Sequence, residues 1–177
     1  MSQIIPLFKR VAQKETAPVT TGEGRIEKFF VFNIDKQTYT VPAVDVAEVA
    51  NYSSLIDIPS SSELVDGVVN VRGTVIPIIN VRKRLGFDKN INVTAKTKIL
   101  YFTVKQGFLV GMIVDDIEFR LRDGIIENEE IKTDNDKTFK LVIVEEKEKE
   151  YRFPVFFIDE LVKPAEFDDI QKVLEAF

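Results

Sequence analysis

The side chains of this chain that could do chemistry are carboxylates, lysines and arginines, because its 177 residues include neither histidine nor cysteine. A Ser-His-Asp triad, a Cys-His pair and a histidine-bearing zinc site are therefore excluded. The adjacent acids Asp115 and Asp116 come nearest to a pair of catalytic carboxylates. Neighbouring residues of a strand point to opposite faces, so these two cannot flank one bond, and we interpret them as turn residues. Since the sequence has no metal-ligand spacing and no phosphate-binding glycine loop, we expect no enzyme activity, no metal and no cofactor.

The one basic run, Arg82-Lys83-Arg84, is the candidate for a nucleic-acid contact. A strip that binds nucleic acid needs aromatic side chains interleaved with its cations, and none is nearby. The net charge of −5 also opposes attraction to phosphate. We therefore expect no nucleic-acid partner and interpret the run as the solvated face of a short helix.

The sequence also argues against a membrane segment. No apolar run approaches the ~20 residues that a membrane span needs, so we expect no direct membrane insertion. The apolar start at residues 4–8 is short and is interrupted by Pro6, which argues against a signal peptide. The absence of cysteine fits a cytoplasmic protein.

The stretch 66–86, DGVVNVRGTVIPIINVRKRLG, is the segment around which the other elements are arranged. It predicts a strand, a tight turn at Gly73, a second strand and a helical turn closed by Gly86. In the first strand, Asn70 and Arg72 share a face. Burying an unpaired guanidinium is costly, so Arg72 either pairs with a local carboxylate or faces a partner.

The rest of the chain predicts short strands separated by turns. One strand, IEFRLR, alternates strictly, which places Ile117, Phe119 and Leu121 inward. Residues 163–177 have apolar side chains at helical spacing and predict an amphipathic helix. Residues 1–27 form an N-terminal extension that is either a loosely docked terminus or a docking segment for a partner.

The two halves of the chain resemble each other, which indicates an internal repeat. KFFVFNIDKQTYTVPAVDVAEV aligns with KILYFTVKQGFLVGMIVDDIEF when two one-residue gaps are allowed, so that Glu48 meets Glu118. Further on, PIINVRKRL aligns with PVFFIDELV, and Pro77 meets Pro154. A repeat of about five short strands predicts two similar β units, and small barrels avoid open sheet edges by closing.

The segment GVVNVRGTVIPIINVRKRLG resembles the signature of the CheW-like family, the coupling proteins of bacterial chemotaxis. The resemblance implies a pair of five-stranded SH3-like β-barrels, in agreement with the repeat. We therefore predict a mainly β fold of two such barrel subdomains with a pseudo-repeat, plus short helices and a C-terminal amphipathic helix. The CheW-like domain would span 28–162, with one barrel at about 28–95 and the other at about 96–162, between the extension at 1–27 and the helix at 163–177.

The family resemblance implies a non-enzymatic adaptor with two partners. These would be the cytoplasmic hairpin of a chemoreceptor, a methyl-accepting chemotaxis protein, and the regulatory domain of a CheA-type histidine kinase. The receptor hairpin would dock as a helix in an apolar groove between the barrels. The protein would then be cytoplasmic, at membrane-associated receptor arrays. The alternative is a CheW-like scaffold in another receptor–kinase pathway, such as surface motility, whereas the missing catalytic groups disfavour an enzyme or ligand-binding barrel.

The same resemblance implies which residues bind the receptor: Val46, Glu48, Asn70 and Arg72. Glu48 is the acidic residue of a V-x-E pattern, and Val46 would lie on the same strand face two residues earlier. Judged by sequence alone, Glu48 is an ordinary exposed strand carboxylate. Four glycines are assigned to structural turns, namely Gly67, Gly73, Gly86 and Gly111.

Overall fold

A computed structural model of the chain describes residues 24–58, 63–88, 90–104, 107–132 and 137–177. The predicted N-terminal extension lies almost entirely outside these residues, so its role as a docking segment stays a prediction. Within the described ranges, no helix is long and apolar enough to cross a membrane.

The described residues form ten strands and three short α-helices. In chain order the strands are β1 (Ile26–Ile34), β2 (Gln37–Pro42), β3 (Val46–Asn51), β4 (Val65–Val71), β5 (Thr74–Ile79), β6 (Lys98–Thr103), β7 (Leu109–Val114), β8 (Asp116–Lys132), β9 (Thr138–Glu146) and β10 (Lys149–Val155). The α-helices are α1 (Val81–Leu85), α2 (Ile158–Leu161) and α3 (Phe167–Glu175), and 3-10 turns lie at Ala43–Asp45 and Pro164–Glu166. This content confirms the predicted mainly β fold.

The chain divides into two compact units. Unit 1 contains described residues 24–44 and 118–156, and unit 2 contains 45–117 and 157–177 with the gaps given above. In unit 1, five strands close into a barrel in the order β1-β2-β10-β9-β8. In unit 2, five strands form a sheet in the order β3-β6-β7-β5-β4.

Unit 1 is held together by apolar side chains on both sides of its strands. One set includes Phe29 and Val142, which are fully buried and converge on Gly124. The other set is an aromatic cluster in which the ring centroids of Tyr39 and Phe156 are 4.9 Å apart. Burial of such rings is the main favourable contribution to folding, at about 25 cal/mol per Å² of apolar surface.

The sheet of unit 2 is buried on both faces, with Leu100 and Met112 on one face and a larger cluster on the other. The buried members of this cluster are Val69, Ile76, Ile78, Ile99, Tyr101 and Ile113, and half-buried apolar side chains such as Leu109 and Val71 pack against them. Most of these residues are β-branched, which suits the pleated surface of a buried sheet.

The repeat is visible in the strand order, but it does not divide the chain as predicted. If β1–β5 are equivalent to β6–β10, the order β8-β1-β2-β10-β9 of unit 1 corresponds to β3-β6-β7-β5-β4 of unit 2. Each unit thus joins the first two strands of one repeat to the last three of the other. The predicted barrels at 28–95 and 96–162 are therefore not the units that form, because sequence similarity identifies equivalent strands and not their pairing partners.

The equivalence extends to the register of single residues. Each unit has one parallel pair, Val155 with Thr40 in unit 1 and Ile78 with Gly111 in unit 2. The alignment of Pro77 with Pro154 places Ile78 on Val155, and the hairpin alignment with its one-residue gap places Thr40 on Gly111. The two parallel pairs are therefore the same pair of the repeat.

Two of the four glycines lie inside strands, and not in the turns predicted for them. Gly67 sits at a register shift of β4, where an added Cβ would come 2.9 Å from the Ile56 carbonyl oxygen. Gly111 lies in the middle of β7, where an added Cβ would come 2.6 Å from Ile78 Cδ1. Both positions require the absence of a side chain for close approach, a requirement that the sequence alone does not distinguish from a turn.

The basic run is not a solvated face. Arg82 is only 6% exposed, and its Nη2 donates a hydrogen bond to the Asp115 carboxylate. Arg84 donates to the Leu161 carbonyl and to Glu166 Oε1. A guanidinium is multiply bonded in this way when it holds two segments together. Arg84 therefore fastens the C-terminal segment to α1 within unit 2.

Helix α3 buries its apolar stripe within unit 2, as its helical spacing predicts. Phe167, Ile170 and Val173 are buried, and the Phe167 ring meets the Phe108 ring edge-on at 5.9 Å between centroids. The prediction that Ile117, Phe119 and Leu121 of β8 point inward is wrong in part. Ile117 is buried, but Phe119 is 67% exposed and Leu121 is 37% exposed. Alternation shows which side chains share a face, and it does not show whether that face is covered.

Candidate functional site

A depression of about 220 Å³ opens at one end of the unit 2 core. We call it the Tyr101 depression and define it by its lining residues, Ala47, Glu48, Val71, Arg72, Thr74, Ile76, Tyr101 and Leu109. Its walls come from β3, β6, β7 and the β4–β5 hairpin. It therefore combines an apolar interior with two opposite charges, those of Glu48 and Arg72.

Arg72 reaches the depression from the turn between β4 and β5. Val71 pairs with Thr74, which leaves Arg72 and Gly73 as a two-residue loop with φ of 51° and 86°. Two positive φ values are the mark of a type I′ hairpin turn, for which glycine is suited and arginine is not. The exposed guanidinium has no hydrogen bond or ion pair with any residue that the structure describes, so it is available to another molecule.

Asn70 does not line the depression. Its Oδ1 accepts a hydrogen bond of 2.9 Å from the Gly73 N–H, which closes the turn beside Arg72. A side-chain oxygen that accepts from a nearby backbone N–H is a common way to stabilise a turn. Asn70 therefore supports the conformation of Arg72.

Glu48 stands opposite Tyr101 on the neighbouring strand. The two residues are directly paired in the β3–β6 ladder, and paired residues project from the same side of a sheet. Burial raises the pKa of the Tyr101 hydroxyl, and the nearby carboxylate of Glu48 raises it further. Tyr101 is thus a protonated phenol at neutral pH.

Val46 is not on the face that carries Glu48. The register shifts between these residues, so that Val46 pairs with Phe102 whereas Glu48 pairs with Tyr101. Consecutive residues of β6 point to opposite faces, and a β-bulge at Ala47 therefore turns Val46 away from the depression. The prediction that Val46 and Glu48 share a face is wrong, because simple alternation does not allow for a bulge.

The floor of the depression depends on Gly111. An added Cβ there would come 3.2 Å from Tyr101 Cδ1, so the Tyr101 ring lies close against a strand position without a side chain. Gly111 pairs with Tyr101 across the β6–β7 ladder, which fixes this contact. The absence of a side chain in β7 thus sets the position of the ring in β6.

The structure brings together two of the four predicted receptor-binding residues, Glu48 and Arg72. Val46 and Asn70 lie outside the lining of the depression. The other six lining residues, among them Tyr101, were not predicted from the sequence. One signal for Tyr101 was present, since tyrosine is the one residue with a polar tip in the apolar run ILYF of β6.

Comparisons with known proteins agree with this architecture. A family model described as a CheW-like domain matches residues 28–132. The chain is 27% identical over 135 residues to the chemotaxis protein CheW of Bacillus subtilis (strain 168), covering 74% of this chain and 83% of that protein. It is 36% identical over 89 residues to the chemotaxis protein CheW of Thermotoga maritima, covering 47% and 56%.

A solved structure gives the same result for the fold. The crystal structure of scaffolding protein TtCheW from Thermoanaerobacter tengcongensis superposes with a TM-score of 0.61 at 25% identity, covering 78% of this chain and 94% of that one. The family match begins within β1 and includes β2–β8, and so both strand sets of the repeat contribute to it. This chain therefore belongs to the CheW-like family.

Proposed function

We infer that this protein is a non-enzymatic adaptor that couples chemoreceptor cytoplasmic tips to a CheA-type histidine kinase in bacterial chemotaxis. The observation that carries this inference is membership of the CheW-like family, with relatives named chemotaxis protein CheW and a structural relative titled a scaffolding protein. In this role the protein acts by position, passing a conformational bias from receptor to kinase.

The Tyr101 depression is the surface that we propose for the receptor. A receptor tip is a helical hairpin, and helices bind other proteins through apolar side chains that enter a hydrophobic recess. Arg72 is the anchor, because it is exposed, unpaired within the described residues and held in a defined turn by Asn70. Arginine at the edge of a desolvated patch is a frequent hot-spot residue. Glu48 supplies the opposite charge, which fixes the orientation of the bound helix.

The kinase partner is the regulatory domain, which in this family is itself CheW-like. Single contacts of this kind are near the ~1,000 Å² lower limit for specific interfaces. Repetition in an array raises their combined strength without any new contact. The protein would then be located in the cytoplasm, at membrane-associated receptor arrays.

The test is co-sedimentation of the purified chain with a cytoplasmic fragment of a methyl-accepting chemotaxis protein and a CheA-type kinase, followed by assay of kinase activity. The wild type should enter a ternary complex and raise kinase activity. Arg72→Ala should weaken receptor binding at least tenfold, as expected for a hot-spot residue worth about 2 kcal/mol.

Lys147→Ala is the matched control. Lys147 is an exposed cation at the first position of a two-residue turn with φ of 50°, so both variants remove a positive charge from the same backbone conformation. If Arg72→Ala and Lys147→Ala lost receptor affinity equally, the loss would be explained by net charge, and Arg72 would not be the anchor. If the folded wild type bound neither receptor nor kinase, the adaptor role itself would be wrong.

A further inference from the structure

Tyr101 has a hydroxyl that makes no hydrogen bond with any residue that the structure describes. The residue as a whole is 2% exposed and lines the depression, but its oxygen is not among the fully buried polar atoms that lack a partner. The hydroxyl oxygen is therefore accessible from the depression.

The hydroxyl can act as a donor toward a bound group. Its pKa is raised by burial and by Glu48, so the proton stays on the phenol oxygen. A group that enters the depression with an acceptor atom would satisfy this donor.

An acceptor for hydrogen bonds lies next to this donor. The Glu48 carboxylate projects from the same side of the sheet, one strand away, and has no ion pair with any described residue. Cross-strand neighbours of this kind have Cβ atoms about 5 Å apart. The floor and rim therefore present a donor and an anionic acceptor side by side.

We propose that the Tyr101 depression binds a primary amide side chain, Gln or Asn, of the partner helix. The amide carbonyl accepts from the Tyr101 hydroxyl, and the amide N–H donates to the Glu48 carboxylate. A carboxylate side chain offers no donor to Glu48, and an ammonium or guanidinium offers no acceptor to the Tyr101 proton, whereas an amide offers both. The inference rests on the proposed function, since it names what the receptor-facing depression recognises.

The size and walls of the depression suit one such side chain. Cavities of about 150 Å³ hold a benzene ring, and small-molecule pockets begin at roughly 300 Å³. The present 220 Å³ lies between the two, which fits a single side chain better than a metabolite. Val71, Ile76 and Leu109 supply apolar contacts for the methylene groups that precede the amide.

A small probe tests this on the chain alone, without a receptor. Butyramide carries the donor and acceptor of a Gln side chain, pentan-2-one carries only the acceptor, and sodium butyrate carries a charge. Titrations followed by NMR of the isotope-labelled protein should show saturable binding of butyramide at the depression, with Kd on the order of 10 mM. Pentan-2-one and butyrate should each bind at least threefold more weakly.

Two variants locate the effect. Tyr101→Phe removes only the hydroxyl and should weaken butyramide and receptor-fragment binding about threefold to tenfold. Its urea midpoint should not fall, because no described residue loses a hydrogen bond. Tyr39→Phe is the matched control, because the Tyr39 hydroxyl donates a hydrogen bond to Gln37 Oε1 at 2.9 Å. The urea midpoint of Tyr39→Phe should therefore fall, while its binding of butyramide stays the same as that of the wild type.

Each result decides the question. Equal binding of butyramide and pentan-2-one, or unchanged butyramide binding by Tyr101→Phe, would overturn amide recognition. A lower urea midpoint for Tyr101→Phe would show that the hydroxyl is structural and would likewise overturn it. If the protein bound butyramide but no receptor fragment, the amide site would stand and the proposed function would be wrong. If it bound the receptor fragment without preferring an amide, the proposed function would stand and the amide site would be wrong.

Discussion

The two units use equivalent strands in equivalent order, and they fill one equivalent position in opposite ways. In unit 1 the position is Thr40, which is fully buried and donates through Oγ1 to the Pro154 carbonyl at 3.0 Å. In unit 2 it is Gly111, which leaves its space to the Tyr101 ring. One unit satisfies its polar group internally, and in the other the Tyr101 hydroxyl makes no hydrogen bond with any described residue. The same topology thus gives a buried polar contact in one case and the surface that we propose for recognition in the other.

The hairpin turns differ in the same sense. The β9–β10 turn of unit 1 places Lys147 and Glu148 at φ of 50° and 62°, neither of them a glycine. The equivalent turn of unit 2 combines Arg72 with Gly73, so only one residue with a side chain is in the left-handed region. The turn that presents the proposed anchor is therefore the less strained of the two.

The largest expected effect contrasts a buried ion pair with an exposed one. Arg82→Ala in unit 2 should lower the free energy of unfolding by about 3 kcal/mol, because a buried side chain and its ion pair with Asp115 are lost together. Arg120→Ala in unit 1 should cost less than about 0.5 kcal/mol, because that side chain is 75% exposed and lies 3.4 Å from Glu146. Urea denaturation compares the two, and equal losses would contradict the distinction.

A reciprocal exchange tests the Thr40–Gly111 difference. Gly111→Thr should destabilise the protein by about 2–3 kcal/mol, because its Cβ collides with Ile78 and displaces Tyr101. Thr40→Gly should cost about 2 kcal/mol through the lost buried hydrogen bond and the added flexibility of the strand. Only Gly111→Thr should also abolish receptor binding. Loss of binding by both variants would show that stability alone governs it.

The turns can be exchanged in the same way. Glu148→Gly should raise the free energy of unfolding by about 1 kcal/mol, because glycine adopts a positive φ without the penalty of a side chain. Gly73→Glu should lower it by a similar amount. Thermal or urea unfolding measures both changes, and a destabilising Glu148→Gly would mean that the Glu148 side chain makes a contact that outweighs the strain.

The smallest effect concerns the acid limb of stability. Burial alone would raise the pKa of Glu166 in unit 2, but hydrogen bonds from Arg84 and from the Lys163 N–H bring it below its ordinary 4.5. Its stabilisation is therefore present above pH 4.5 and is lost as the pH falls through the lowered pKa. Glu166→Gln should be less stable than the wild type at pH 7, by up to about 1 kcal/mol, and equally stable in strong acid.

Glu127 in unit 1 gives the opposite sign. Burial raises its pKa above the ordinary 4.5 despite Arg152 nearby, so ionisation is less favourable in the folded state than in the unfolded state. Glu127→Gln should therefore be at least as stable as the wild type at pH 7, with an advantage that shrinks on acidification. If the free energy of unfolding of Glu166→Gln and Glu127→Gln, each relative to the wild type, changed with pH in the same direction, the opposite pKa shifts of the two residues would be contradicted.

Local features of the fold could be predicted from the sequence because they depend on neighbouring residues. The hairpin around Gly73 and the buried stripe of Ile170 and Val173 are set by φ preference and by helical spacing. The repeat was also visible. The pairing of β1 and β2 with β8–β10 was not, since that choice depends on which edges meet in space.

The candidate site was predicted only in part, for a related reason. Glu48 and Arg72 were found because each belongs to a recognisable motif. Tyr101 was missed because its importance comes from two other strands, one with a glycine beneath it and one with a carboxylate beside it. The bulge that turns Val46 away leaves no signature in the alternation of β3.

The interleaving of the units has a consequence during protein synthesis. All five strands of unit 2 lie between Val46 and Val114, so its sheet can form as soon as that segment has left the ribosome. The β1–β2 hairpin is made first but pairs with strands that end at Val155, and synthesis at about 5–20 residues per second delays them by roughly 6 to 23 seconds. An isolated hairpin is marginally stable, so Phe29 and Phe32 stay open to chaperones for that interval. The sheet that carries the proposed receptor surface can thus form before the barrel of unit 1 closes, whereas unit 2 as a whole is completed only by residues 157–177.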